Sequence, residues 1–210
     1  MTNQQPQLIL YSFRRCPYAM RARMALAYAK LNYEIREVDL KQKPDALLIA
    51  SPKGTVPVLI VNEETVIDES LDVVVWASQQ TDTPYVSDIN ADPWVMKLHQ
   101  IFIPLMHRYK YPERYPDVNQ DENLEALKSF LSEFDAWLEA QGSTLNPWVK
   151  MALFPLIRQL WIIDDGWRHQ SVPTLTQWVE DIMSSESFTK VMHKYEVWDP
   201  TIKQPVTVTN

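Results

Sequence analysis

The chain has one cysteine, Cys16, in the run Phe13-Arg14-Arg15-Cys16-Pro17-Tyr18-Ala19. A strand-like stretch, residues 8–13, leads into it and a helix-like stretch, residues 20–31, leaves it. Proline suits the first helical position because its missing N–H would have no intrahelical partner. Cys16 is therefore expected at the N-cap, facing unpaired amides whose partial positive charge favours a thiolate. Arg14 and Arg15 add positive potential, so the thiol is expected below its ordinary pKa. A dithiol redox pair would need a second cysteine where Ala19 stands. Disulfide chemistry must then pass through a mixed disulfide with an external thiol, for which glutathione is the obvious cytosolic candidate. A lone cysteine is more commonly an inert, buried one; the proline at a strand-to-helix turn weighs against that here.

The elements that must position this thiol follow from periodicity. Residues 8–13, 33–40, 56–61 and 65–67 read as strands, and 17–31, 45–50 and 69–80 as helices. Within 17–31 the residues Met20, Met24, Ala27 and Leu31 share one helical face. The order β-α-β-α-β-β-α implies an α/β layer with a mixed sheet over residues 1–80. Residues 81–90 are polar and turn-rich and read as a linker. Residues 91–210 read as an all-helical domain. It comprises a helix over 93–110 bent at Pro104 and one through Leu124, Leu127, Leu131, Phe134 and Leu138, stopped at Gly142. A helix over 148–163, apolar all round, belongs in the middle of a bundle, and another spans 173–183. The last dozen residues lack period and are expected as an extended tail.

Composition removes several function classes. A net charge of −7 argues against a nucleic-acid surface, which needs a basic patch. Three glycines leave no Gly-rich phosphate loop or dinucleotide fingerprint. A single cysteine excludes a disulfide framework and a cysteine-based zinc site, and His99 and His107 lie too far apart to share a metal; no metal is expected. The first residues do not resemble a signal peptide, and no apolar run is long enough to span a bilayer. The expected setting is cytoplasmic, with no membrane partner.

Four motifs in order then carry a resemblance. Cys16-Pro17-Tyr18-Ala19, Lys43-Pro44, Ser51-Pro52-Lys53-Gly54-Thr55-Val56-Pro57-Val58-Leu59 and Asp68-Glu69-Ser70 are together similar to the cysteine-type cytosolic glutathione transferases, closest to the omega class. The resemblance implies a thioredoxin-like N-terminal domain followed by an all-α bundle. It implies glutathione as co-substrate, Cys16 as the catalytic residue, and Pro17, Tyr18, Lys43, Val56, Pro57, Glu69 and Ser70 around glutathione. On the residues alone Pro57 is an ordinary trans proline opening a strand; the resemblance implies a cis bond, which would turn the Val56 N–H and C=O toward a peptide-like ligand. Glu69 would accept from the γ-glutamyl ammonium and Lys43 would pair with the glycyl carboxylate. Ser70 would cap a helix and meet a carboxylate. Ala152 to Gln159 resembles the family's core helix, but the usual Ser/Thr-x-x-Asp cap before it is absent, and Asn146-Pro147 is expected to cap instead.

The function so implied is glutathione-dependent thiol transfer through a mixed disulfide on Cys16, with small disulfides, glutathionyl adducts or dehydroascorbate as substrate types. Two alternatives stand beside it. One is conjugation of glutathione to small electrophiles, with Tyr109 and Trp161 as candidate walls of an electrophile pocket between the domains. The other is a non-catalytic binding protein on the same scaffold, since fold alone does not set function. The resemblance also implies a homodimer.

Overall fold

Strand β1 (Ile9–Ser12) lies at the centre of a five-stranded sheet of order β4-β3-β1-β2-β5. The computed structural model describes residues 8–82, 88–163, 165–201 and 205–210, without the side chains of Ser143 and Ile162. From β1 the chain passes through α1 (Pro17–Tyr28) to β2 (Tyr33–Glu37), which pairs parallel to β1. It continues through α2 (Asp45–Ala50) to β3 (Val58–Ile60) and β4 (Val66–Ile67), both antiparallel, and ends this run in α3 (Ser70–Gln79). The mixed sheet is the one expected. Successive strand residues point to opposite faces, and Leu10 and Tyr11 are 0% and 1% exposed, so both faces of β1 are covered. Tyr11 packs with Ala19, Val38, Leu47, Val56 and Val58, and Cys16 lies against that cluster. Helices α1 and α3 pack on one another.

Helix α1 begins as the sequence predicts, with Pro17 in its first turn and Cys16 at the N-cap. It ends in a Schellman arrangement: Leu31 N–H donates to the Leu26 carbonyl at 3.0 Å and Lys30 N–H to Ala27 at 3.1 Å. Lys30 takes the left-handed conformation, φ 55°, a place that glycine usually fills.

A second compact unit, Asp88–Ser185, is helical. It comprises α4 (Pro93–Lys97), α5 (Ile103–Lys110), α6 (Gln120–Gln141), α7 (Pro147–Ile157), α8 (Asp165–Ser171) and α9 (Pro173–Ser184). The helix expected over 93–110 contains a π-helical turn, Leu98–Phe102. The irregularity sits just ahead of Pro104, which has no N–H to give the preceding turn. Caps are explicit: the Asp92 carboxylate accepts from Trp94 N–H at 2.9 Å, and the Asn146 side chain accepts from Trp148 N–H at 2.8 Å. Asn146 with Pro147 thus does replace the usual capping box. Leu127, Phe130, Leu131, Phe134 and Leu138 of α6 are buried, and Trp94 meets Phe134 edge-on at 5.0 Å. Nine of the eleven α7 residues are buried, as its uniform apolarity requires.

The C-terminal stretch departs from expectation. Helix α10 (Glu186–Val191) and strand β5 (Thr207–Val208) belong with residues 1–87 in the first unit, not with a helical domain running over 91–210. The expected extended tail adds β5 to the edge of β2, pairing Tyr33 with Val208 and Glu34 with Thr207. Trp198 anchors it: its N–H donates to the Glu37 carbonyl at 2.8 Å, and its ring takes the Arg36 guanidinium at 4.4 Å. An uncovered β2 edge would leave a row of backbone groups unpaired. Half of the expected linker 81–90, residues 83–87, lies outside the described residues; Ile89–Ala91 form a 3₁₀ turn. No described helix is long and apolar enough to cross a membrane.

Candidate active site

Cys16 is half-buried at the N-cap of α1, with extended backbone (φ −72°, ψ 121°). Its own N–H closes a turn on the Phe13 carbonyl at 3.0 Å, and its carbonyl accepts from Met20 N–H at 2.9 Å. The loop before it is tied from two sides. Arg14 N–H donates to Glu37 Oε1 at 2.7 Å. Arg23, 2% exposed, donates to Ser12 Oγ, to the Arg14 carbonyl at 2.7 Å and to the Val191 carbonyl at 3.0 Å. The nucleophile candidate therefore rides on a fixed turn, which is what a positioned sulfur needs. The nearby hydroxyls are engaged: Tyr11 accepts from Arg36 and Ser12 from Arg23.

The state of the thiol corrects the sequence reading. Burial pushes the Cys16 thiol above its ordinary value. The Ala19 and Tyr18 amides pull it down, and so do the Arg23 and Arg21 charges, but burial prevails. Desolvation disfavours the anion more than a helix N-terminus favours it in this pocket. The arginines that bear on the sulfur are the buried Arg23 and Arg21, not Arg14 and Arg15. The protonated thiol donates to the Val56 carbonyl at 3.7 Å. Since the folded pKa is raised, the thiolate fraction keeps climbing through and beyond neutral pH. Alkylation of Cys16 by iodoacetamide is expected to rise about tenfold per pH unit and to inflect above the ~8.5 of a free cysteine. A rate already flat at pH 7 would contradict this.

Facing the thiol is a turn closed by Gly54 N–H on the Ser51 carbonyl at 3.0 Å. Gly54 has φ +58°, and a Cβ there would stand 3.0 Å from Leu48 Cδ2 and 3.5 Å from Lys43 Nζ. Glycine is thus favoured by conformation, while the side chains of Leu48 and Lys43 would have to give way to a Cβ. The turn delivers Val56 to Cys16, and the Val56–Pro57 bond is cis, as the resemblance implied and the residues alone did not.

The acidic pair lies at the start of α3. Glu69, not Ser70, is the N-cap residue, and it makes no side-chain cap. Ser70 sits one place inside the helix, 5% exposed, and its hydroxyl accepts from Arg21 Nη1 at 3.0 Å. The serine oxygen thereby accepts from a buried guanidinium, which orients the hydroxyl. Lys53 Nζ lies 3.0 Å from Asp68 Oδ1 and 2.7 Å from Glu69 Oε1, and Ser51 Oγ donates to Asp68 Oδ2 at 2.6 Å. Hydrogen bonds from Ser51 and Lys53 hold the Asp68 carboxyl below its usual range. Tyr18 and Pro17 are half-buried beside Cys16, with Arg21 5.9 Å from the centre of the Tyr18 ring. Lys43 is exposed, lies against the Gly54 turn, and lines an open cleft of about 890 Å³ with Pro44, Glu37 and Trp198.

Residues 10–84 match the family model described as glutathione S-transferase, N-terminal domain. Residues 10–84 of the first unit are thus similar to a glutathione S-transferase N-terminal domain. Among relatives, the chain is 28% identical over 190 residues to a probable glutathione S-transferase DHAR2, chloroplastic, of Oryza sativa subsp. japonica, covering 84% of this chain and 65% of that protein. It is 40% identical over 62 residues to glutathione S-transferase omega-2 of Rattus norvegicus, covering 30% and 25% of the two chains. The chain thus spans less than two thirds of the length of these curated relatives. The crystal structure of glutathione transferase Omega 3C from Trametes versicolor has the same fold, with a TM-score of 0.71 at 22% identity over 92% of each chain.

Within the first unit the structure brings together Cys16, Pro17, Tyr18 and Val56 on one side, and Lys53, Asp68, Glu69 and Ser70 around the start of α3. Tyr109 and Trp161 both lie in the second unit, half-buried, and the Trp161 ring is covered by the Arg168 guanidinium at 4.4 Å. Sequence reasoning missed Arg21 and Arg23. Their mark was two arginines set into the apolar run Ala19-Met20-Arg21-Ala22-Arg23-Met24-Ala25-Leu26. Among the described residues no group of three or more His, Cys, Asp or Glu side chains could hold a metal ion.

Proposed function

We propose that this chain is a glutathione-dependent thiol transferase whose nucleophile is Cys16. The observation that carries the reading is a lone cysteine at a helix N-cap, on a turn fixed by Arg23, with its sulfur beside the Val56 carbonyl at the cis-proline. The Cys16 thiolate attacks the glutathione sulfur of a mixed disulfide. The S–S bond breaks and the substrate thiolate leaves, taking a proton from solvent. The new Cys16–glutathione disulfide is then attacked at the glutathione sulfur by a second glutathione thiolate, which releases oxidised glutathione and returns the Cys16 thiolate. The raised thiol pKa makes the anion scarcer but a stronger nucleophile, and a poorer leaving group in the second step. The Tyr18 and Ala19 amides and the two buried arginines are the groups that stabilise the anion each time it forms.

In this reading glutathione sits as a short strand against the Val56 backbone, its γ-glutamyl end toward Glu69 and Ser70 and its glycyl end toward Lys43. Small disulfides, glutathionyl adducts and dehydroascorbate are the substrate types. A homodimer and a reducing compartment go with it; a free thiol suits the cytoplasm, while the rice relative is named as chloroplastic. A second reading has one observation in its favour. A Cys16 kept protonated is a donor that could hold a bound glutathione thiolate for conjugation to an electrophile.

Kinetics separate the two. With reduced glutathione and the mixed disulfide of glutathione and 2-mercaptoethanol, the expected pattern is ping-pong, with parallel double-reciprocal lines. Intersecting lines, with turnover only on electrophiles, would replace thiol transfer by conjugation.

A further inference from the structure

Lys53 has an unusual position for a residue on an exposed turn. Its ammonium bridges two carboxylates, 3.0 Å from Asp68 and 2.7 Å from Glu69. Its side chain is 50% exposed and Glu69 is 63% exposed, so neither is locked there by packing. The turn that presents Lys53 is closed by Gly54 N–H on the Ser51 carbonyl, with Gly54 at positive φ. Asp68 is held from its other oxygen by Ser51. The seat therefore consists of two carboxylates at the start of α3, Asp68 anchored by Ser51 and Glu69 exposed, with a primary ammonium already in it.

The γ-glutamyl end of glutathione carries a primary ammonium of the same charge and donor capacity. We propose that Lys53 is a specificity-determining residue: its ammonium fills the Asp68–Glu69 seat in the unliganded chain, and a γ-glutamyl ligand must displace it to bind. The inference rests on the reading that Glu69 receives that ammonium. A ligand ammonium competes with Lys53 for Glu69 Oε1 and is repelled by its charge, so the affinity for glutathione is reduced by the fraction of molecules in which Lys53 holds the seat. Exposed ion pairs are weak, which sets the reduction at about two- to fivefold. A ligand without an ammonium gains nothing from the seat and does not compete with Lys53. Lys53 thus costs affinity for true γ-glutamyl ligands and none for analogues lacking the amine.

Calorimetric titration with reduced glutathione and with its desamino analogue, on wild type, Lys53→Met and Glu69→Gln, tests this. Lys53→Met is expected to tighten glutathione two- to fivefold and to leave the desamino analogue unchanged. Glu69→Gln is expected to shrink the difference between the two ligands. If Glu69→Gln does so but Lys53→Met leaves glutathione unchanged, or weakens both ligands alike, Lys53 is not the occupant and the inference fails while the site reading stands. If Glu69→Gln leaves the difference intact, the ammonium does not sit there, and both fail.

Discussion

Replacing Cys16 with serine is expected to lower glutathione-dependent thiol transfer by at least about a thousandfold. The step requires a sulfur that can form and release a disulfide, and a hydroxyl forms none. Cys16 is the only cysteine of the chain, so no neighbour can take over. The fold has no reason to suffer. Serine is a better N-cap than cysteine, and the sulfur gives only a long contact, 3.7 Å, to the Val56 carbonyl. Loss of turnover at unchanged melting temperature is therefore the expected pair of results, read with the 2-mercaptoethanol mixed disulfide and by thermal denaturation. The same variant is expected to gain conjugating activity if the site can switch from forming a disulfide to donating a hydrogen bond to bound glutathione thiolate. Wild-type thiol transfer in this variant would remove Cys16 from the chemistry.

The second large effect belongs to Arg21. It is 0% exposed, donates to Ser70, lies near the face of the Tyr18 ring and lowers the Cys16 pKa by its charge. It therefore serves both ends of the site without touching the reacting sulfur, as a positioning residue. Burial drops its own pKa to about 10, so the folded chain bears a desolvation cost for keeping it charged. Arg21→Met removes that cost together with the favourable contacts, including the hydrogen bond to Ser70, so the two changes oppose one another in stability. The expected outcome is a melting temperature near that of wild type. With Ser70 unmoored, kcat/KM for thiol transfer is expected to fall about a hundredfold, the size of effect that a misplaced group produces. The alkylation inflection of Cys16 should move upward, because one of the charges opposing burial is gone. Wild-type activity with an unmoved inflection would show that Arg21 only fills space.

What the sequence disclosed and what it hid divide along physical lines. Local chemistry was legible. Pro17 in the first turn, Asn146 before Pro147 and Gly142 at the end of α6 each act within a few residues, and each appears where the residue types put it. The apolar faces of α6 and α7 were equally plain. Features set by distant parts of the chain were not. The sign of the Cys16 shift depends on burial against a cluster that includes Val38, Val56 and Val58, far away in sequence, so the helix N-terminus suggested the wrong direction. A strand of two residues has no alternation to detect, and β5 forms only because β2 offers it an edge. Helix α1 stops at Lys30 in a left-handed conformation, with no glycine to announce it. The cap at α3 was misplaced by one residue, a shift that moves Ser70 from capping to accepting from Arg21. The cradle residues Lys43, Glu69 and Ser70 were named only through the resemblance; from residue type alone they are ordinary surface and helix-start positions.

The most direct test of the central claim is the intact mass of the chain after incubation with oxidised glutathione, for wild type and for Cys16→Ser. The account predicts a single glutathione adduct on wild type, none on the variant, and its removal by excess reduced glutathione. A folded wild-type chain that stays unmodified while iodoacetamide still reaches Cys16 would contradict a mixed disulfide at this residue, and with it the proposed mechanism.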